Sequence, residues 1–202
     1  MKKEAALNLI GLVFLLWGAG AILNTLFNIE QGLAPILWFS YIGLILLAIG
    51  VFRRDSYLIA AQLCILAIPY LFWNLDFFYY IFRGMSLFGI VDYFFASGSL
   101  IGKIISSQHL FNLPLSLIAI YLIGLKRKDF WKLAFFEVFV LFFITLLFTT
   151  YEQNVNCVYH NCARFDFGFY YPLQWFLAYF LMILASNFII LRLFHNRTET
   201  YG

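Results

Sequence analysis

The stretch "FFYYIFRGMSLFGIVDYFFASGSLIGK", residues 77–103, decides the fold. It is apolar enough to be drawn as a membrane helix, yet Arg83, Asp92 and the Ser97-Gly98-Ser99 break interrupt it. A bilayer core needs about 20 consecutive, mostly apolar residues per helix. Six cleaner runs surround the stretch, at about 7–27, 35–52, 57–73, 104–124, 130–150 and 168–194. If residues 77–103 do not cross, six helices place both termini on one side. That side then holds Lys2, Lys3, Arg53, Arg54, Lys126, Arg127, Lys128, Lys132, Arg192 and Arg197. Only Arg83, Lys103 and Arg164 remain opposite, a strong positive-inside pattern. If the stretch crosses, the later loops flip and the 13 basic residues divide about evenly. The expected fold is therefore an all-α, polytopic membrane bundle of six transmembrane helices. Residues 77–103 form a re-entrant or interfacial element on the outer face, with a seventh short helix as the alternative.

Composition supports this class. The chain is 64% hydrophobic and 11% charged, against roughly a quarter charged in soluble domains. No basic stripe of the nucleic-acid-binding kind is present, which excludes that class. The first run exceeds the usual signal-peptide core, and its Gly18-Ala19-Gly20-Ala21 lies inside it, so it reads as a retained helix. With no internal repeat and no flexible linker, residues 1–202 form one transmembrane domain. The expected location is the cell membrane, multi-pass, with both termini cytoplasmic.

This topology collects Asp76, Asp92, His109, Glu152, His160 and Asp166 at the outer face. There the loop "EQNVNCVYHNC", residues 152–162, has two readings. Cys157 and Cys162 close a small disulfide loop, as suits an oxidising compartment. Alternatively Cys157, His160 and Cys162 ligate zinc, with His109 or water as the fourth ligand. A free Cys157 nucleophile is the remaining option. Zinc is thus the one cofactor alternative.

His109 begins a helical face shared with Ser106, Asn112 and Ser116, at spacings of three and four. A histidine within a span is a site hypothesis by default, against the plainer role of an interhelical hydrogen bond. Pro114 kinks this helix and frees a carbonyl. Asp76 and Asp92 either serve His109 or pair with Arg83, Lys103 or Arg164. Glu137 is a proton-relay carboxylate or is held against a neighbouring helix. Asn24, Gln62, Gln174 and Asn187 suit interhelical hydrogen bonding. Tyr79, Tyr80, Tyr170, Tyr171 and Trp175 suit an interfacial belt.

"WNLDF" (73–77), "VDYFF" (91–95), "SSQHLFNLPL" (106–115) and "NVNCVY" (154–159) together resemble a functionally unassigned family of small six-helix bacterial membrane proteins. The resemblance covers roughly residues 70–180, and Asn-x-Asn-Cys-Val is its most specific piece. Relatives often carry Trp in place of this Cys, which implies that weight belongs on His109, Asp76 and Asn156. A fainter similarity extends to the androgen-induced family of membrane ester hydrolases and related acyltransferases, whose intramembrane histidine only His109 matches. Their histidine works with a Thr or Cys nucleophile, and no such partner is assignable here.

The resulting expectation is a membrane-embedded hydrolase or acyltransferase acting on a lipid-like substrate from the outer leaflet. His109 acts as general base, oriented by Asp76 or Asp92. Asn112 and Asn156 stabilise an oxyanion, and water, Ser106, Ser107 or Cys157 attacks. The alternatives are a non-enzymatic binding or assembly protein and a small transporter built on Glu137 and His109. The bilayer is the one partner implied; no protein partner is named.

Overall fold

A computed structural model describes residues 2–28, 32–163 and 170–194. Its helices are α1 (Lys2–Phe27), α2 (Phe39–Phe52), α3 (Ser56–Arg83), α4 (Asp92–Phe95), α5 (Leu100–Ser106), α6 (Gln108–Ile123), α7 (Trp131–Phe148) and α8 (Tyr171–Leu193). Single 3-10 turns at Ala34–Leu37 and Val155–Cys157 complete them, and no strand occurs among the described residues. Among the described residues, five helical stretches are long and apolar enough to cross a membrane: α1, α3, the joined α5–α6, α7 and α8. The chain is an all-α membrane protein. Its α2 is equally apolar but has only 14 residues, with one 3-10 turn just before it.

The central helix is α3. Asp55 caps it by accepting the Tyr57 and Leu58 backbone N–H groups, and this satisfies donors that would otherwise be orphaned. Of its most apolar window, 61% is buried, against 17–33% for the other four spans. Ala60, Ala61 and Cys64 are small enough to let α2, α6, α7 and α8 close around it. On the other side α1 lies against α2, where a β-carbon at Gly18 would come within 2.8 Å of Ile45. Large apolar side chains such as Leu9, Leu16, Phe136 and Leu147 point outward instead. This outward apolar surface matches lipid rather than water.

Two features correct the expected boundaries. The third helix does not end near Trp73 but runs 28 residues to Arg83, about 42 Å at 1.5 Å per residue. It stops at Gly84, whose φ of 72° is left-handed and suits a residue without a side chain. The looped element is therefore residues 84–99 rather than 77–103, since 77–83 belong to α3 and 100–103 to α5. Within it lies one helical turn, α4, of four residues, far short of a spanning helix.

Basic residues gather at one end of the bundle. Arg54, after α2, donates hydrogen bonds to Glu4 and Asn8 of α1. The Lys126 backbone N–H reaches Ser56 Oγ at the start of α3, and Arg127 lies 4.0 Å over the Tyr57 ring. Residues 84–99 and 149–163 cap the opposite end. Arg164, Asp166 and Arg197 lie outside the described residues.

Candidate functional site

At the end opposite the basic cluster, Asp76 is fully buried on the side of α3. Its Oδ1 accepts the backbone N–H groups of Leu87 and Phe88 at 2.6 and 2.8 Å. Its Oδ2 accepts those of Ile90 and Val91 at 2.7 and 3.0 Å. Four amide donors around one carboxylate fold residues 84–91 back onto α3. The expected partners of Asp76, a histidine or a basic side chain, are replaced by backbone. Asp92 follows directly as the first residue of α4.

His109 stands one turn away on α6. Its ring stacks on Trp73, with centroids 4.7 Å apart and planes 16° from parallel, and meets the edge of Tyr70 at 5.1 Å. Its Nδ1 lies 2.7 Å from the Ser106 carbonyl oxygen. That carbonyl is available because the helix breaks between α5 and α6. The Leu110 N–H, which would serve it in a continuous helix, donates to Ser107 instead. A carbonyl only accepts, so Nδ1 carries the proton and Nε2 is left as the bare lone pair. Nε2 has no hydrogen-bond partner among the described residues. His109 is thus oriented by Ser106 and two aromatic rings, not by Asp76 or Asp92.

The rim is completed by Tyr93 of α4, whose hydroxyl accepts from Trp73 Nε1 at 3.0 Å and lies beside the Ser106 side chain. Asn74, expected at a helix terminus, stays inside α3 and donates to the carbonyls of Tyr70 and His109, both at 2.8 Å. The long α3 therefore carries one side of the site and α6 the other.

Below His109, Gln108, Asn112 and Ser116 form a fully buried stripe. Their spacing of four places them one above another on one face. Asn112 Nδ2 donates to Tyr70 Oη at 3.0 Å and to Gln108 Oε1 at 3.2 Å. Among the described residues, Gln108 Nε2, Asn112 Oδ1 and Ser116 Oγ have no hydrogen-bond partner. This corrects the expected role of Asn112, because its amide hydrogens are already engaged and its spare atom is an acceptor. The spare donor beside it belongs to Gln108, which the sequence reading passed over. Its position four residues before Asn112 was the available signal.

The Asn154–Ala163 loop is a separate structure. Cys157 and Cys162 form a disulfide, and Cys64 is the free, buried thiol. Both loop sulfurs are joined in this structure, so neither is a free thiolate for zinc ligation alongside His160 or for nucleophilic attack. Among the described residues no group of three or more His, Cys, Asp or Glu is placed to hold a metal. Asn154 Oδ1 accepts from the Tyr159 and His160 backbone, and its Nδ2 donates to the His160 carbonyl. Asn156, with φ of 54°, accepts from Phe39 N–H at 2.8 Å and donates to the Leu37 carbonyl at 2.8 Å. Its own carbonyl accepts from Trp175 Nε1 at 2.9 Å. The Asn156 amide therefore caps the start of α2 rather than facing an oxyanion. Trp175 is a core residue, not part of an interfacial belt.

Glu137, on α7, accepts a 2.6 Å hydrogen bond from Gln62 of α3. This pair ties the two helices near the basic end, six residues from the start of each. The chemistry-bearing cluster is thus His109 with Trp73, Tyr70, Tyr93, Ser106 and Gln108. Comparison with protein-family models, with curated proteins and with solved structures finds no match, so the reading of this cluster rests on its own geometry.

Proposed function

We propose that the protein is a membrane-embedded hydrolase or acyltransferase that takes a lipid-like substrate from the extracytoplasmic leaflet. The observation that carries this reading is the bare Nε2 of His109, held in place by the Nδ1 contact to Ser106. A base so fixed accepts a proton from an attacking hydroxyl and later returns it to the leaving oxygen. Water or the Ser106 hydroxyl is the nucleophile, and the unpartnered Gln108 amide is the donor offered to developing negative charge. The topology that goes with this reading has six crossings, α2 being the short one. Both termini are cytoplasmic, because the basic end satisfies the positive-inside rule. Resemblance to six-helix bacterial membrane proteins and to androgen-induced-type hydrolases agrees with the choice of His109.

The test is hydrolysis of a panel of short- and long-chain acyl esters in mixed micelles by the full-length protein. His109→Gln is expected to lower turnover about 10²- to 10⁴-fold while leaving helicity and elution volume unchanged. Turnover by His109→Gln equal to wild type removes the proposal.

A second reading is favoured by one observation. Asp76, Asn154 and Asn156 all brace the outer loops, which together with the Cys157–Cys162 disulfide present a rigid face. Such a face suits a binding or assembly protein. In that case His109→Gln would leave the association unaffected, and a stoichiometric partner would be captured by cross-linking at the outer loops.

A further inference from the structure

The basic end of the bundle holds a feature that the histidine site does not involve. A cavity of about 240 Å³ opens between the α2–α3 turn and the α6–α7 connection, lined by residues 53–57 together with Lys126 and Arg127. Its charges are unequally compensated. Arg54 is paired with Glu4, and Arg127 with Asp129. The Arg53 and Lys126 side chains form no ion pair or hydrogen bond among the described residues, and both are exposed. Asp55, the one carboxylate of the lining, turns Oδ1 into the first turn of α3 by accepting from Tyr57 and Leu58.

The walls are built rather than loose. Ser56 is fully buried and holds the Lys126 backbone N–H at 3.2 Å. The Arg127 guanidinium carbon lies 4.0 Å from the Tyr57 ring centre, and the group is fixed again by two hydrogen bonds to Asp129 at 3.0 and 2.9 Å. Two uncompensated cations thus flank a cavity whose floor is held by the ends of two helices and a connection. An oxyanion with several acceptor atoms is the ligand such a place attracts, since charge-assisted hydrogen bonds from Lys and Arg to phosphate are the strong ones. Basic pockets between helices on the cytoplasmic side receive anionic head groups for this reason.

We propose that this cavity binds a phosphate-type anion, with Arg53 and Lys126 as its principal ligands. The shared chemistry is a phosphate group, whether on an anionic lipid or free in solution, and the experiment separates the two. Full-length protein in neutral detergent is titrated with phosphatidylglycerol, with phosphatidylcholine and with inorganic phosphate, and binding is read by native mass spectrometry and thermal shift. The variants are Arg53→Gln with Lys126→Gln together, and Lys128→Gln as a control that removes a nearby charge outside the lining.

Phosphatidylglycerol binding that falls fivefold or more in the double variant and not in the control supports a lipid head group. The same pattern with inorganic phosphate and no preference for phosphatidylglycerol over phosphatidylcholine supports a soluble anion. Equal losses in the double variant and in the control mean diffuse surface charge and overturn the site. Binding indifferent to all three substitutions, or absent for every probe, overturns it too and leaves Arg53 and Lys126 as topological anchors. Both positions are exposed, so retained helicity and elution volume establish that the variants fold.

Discussion

His109 and Ser106 meet across the break between α5 and α6, with Nδ1 2.7 Å from the carbonyl oxygen. Two side chains of α3, Trp73 and Tyr70, hold the ring in that orientation. The break is therefore part of the site, because a continuous helix would hide the Ser106 carbonyl in its own ladder. Removing it would leave the histidine with no fixed tautomer.

Asp76 is expected to behave as a structural anchor. Asp76→Ala strips the acceptor from four backbone N–H groups. Each buried donor left without a partner costs about 1–3 kcal/mol, reduced where the loop swings into solvent, so a total of roughly 3 kcal/mol is expected. Asp76→Asn should fare little better, since its amide N–H₂ would face two of the same donors. Thermal unfolding and proteolysis within residues 84–99 check this. A stable Asp76→Asn protein with an intact loop would overturn the anchor role.

Asn156 combines a left-handed backbone with two side-chain bonds to the start of α2. Asn156→Ala loses the bonds and keeps the strain, whereas Asn156→Gly loses the bonds and relieves it. Glycine at this position should therefore be the more stable replacement, by about 1 kcal/mol. Comparing the two melting curves decides it; alanine equal to glycine would show that the backbone there is relaxed.

The Cys157–Cys162 disulfide closes a loop with a sequence separation of 5. Replacing both cysteines with serine should lower stability by about 2 kcal/mol, the chain-entropy value for so short a loop. The ester-hydrolysis assay should be unchanged. Alkylation of unfolded, unreduced protein should label one thiol of the three, Cys64. Labelling of all three would contradict the pairing.

Acid should loosen the α6–α7 connection before the core. The hydrogen bond from Arg127 holds the Asp129 carboxyl below its ordinary range, with its charge adding to the effect. A carboxylate whose folded value is depressed contributes stability that is present above its unfolded value. That contribution is lost as pH falls through the lowered folded value. Amide protection at residues 126–130, taken relative to the intrinsic exchange rate at each pH, should therefore fall below the ordinary carboxylate range and stay flat around neutrality. Asp129→Asn should abolish the acid step, and salt should weaken it, because both groups are exposed.

Membrane class, the positions of the apolar runs and the one-sided gathering of charge were all legible in the sequence. Each is a property of local composition: apolar length must match hydrocarbon thickness, and basic side chains must sit outside it. Asn74 and Asp76 show where that legibility stops. Read locally, two polar residues after Trp73 end a helix. In the folded chain Asn74 finds the His109 carbonyl 35 positions away, and Asp76 finds four amides of the returning loop. Both are satisfied without leaving α3, so the helix continues to Arg83.

Asn156 follows the same logic across 117 positions, where its amide meets Phe39. The disulfide was within reach of the sequence, because its two cysteines are close along the chain. What only tertiary structure decided is the partner of each buried polar group. In an apolar bundle a buried polar group is costly without a hydrogen bond, and which partner lies within reach is set by how the helices close. On that choice rest the free Nε2 of His109 and the structural employment of Asp76 and Asn156.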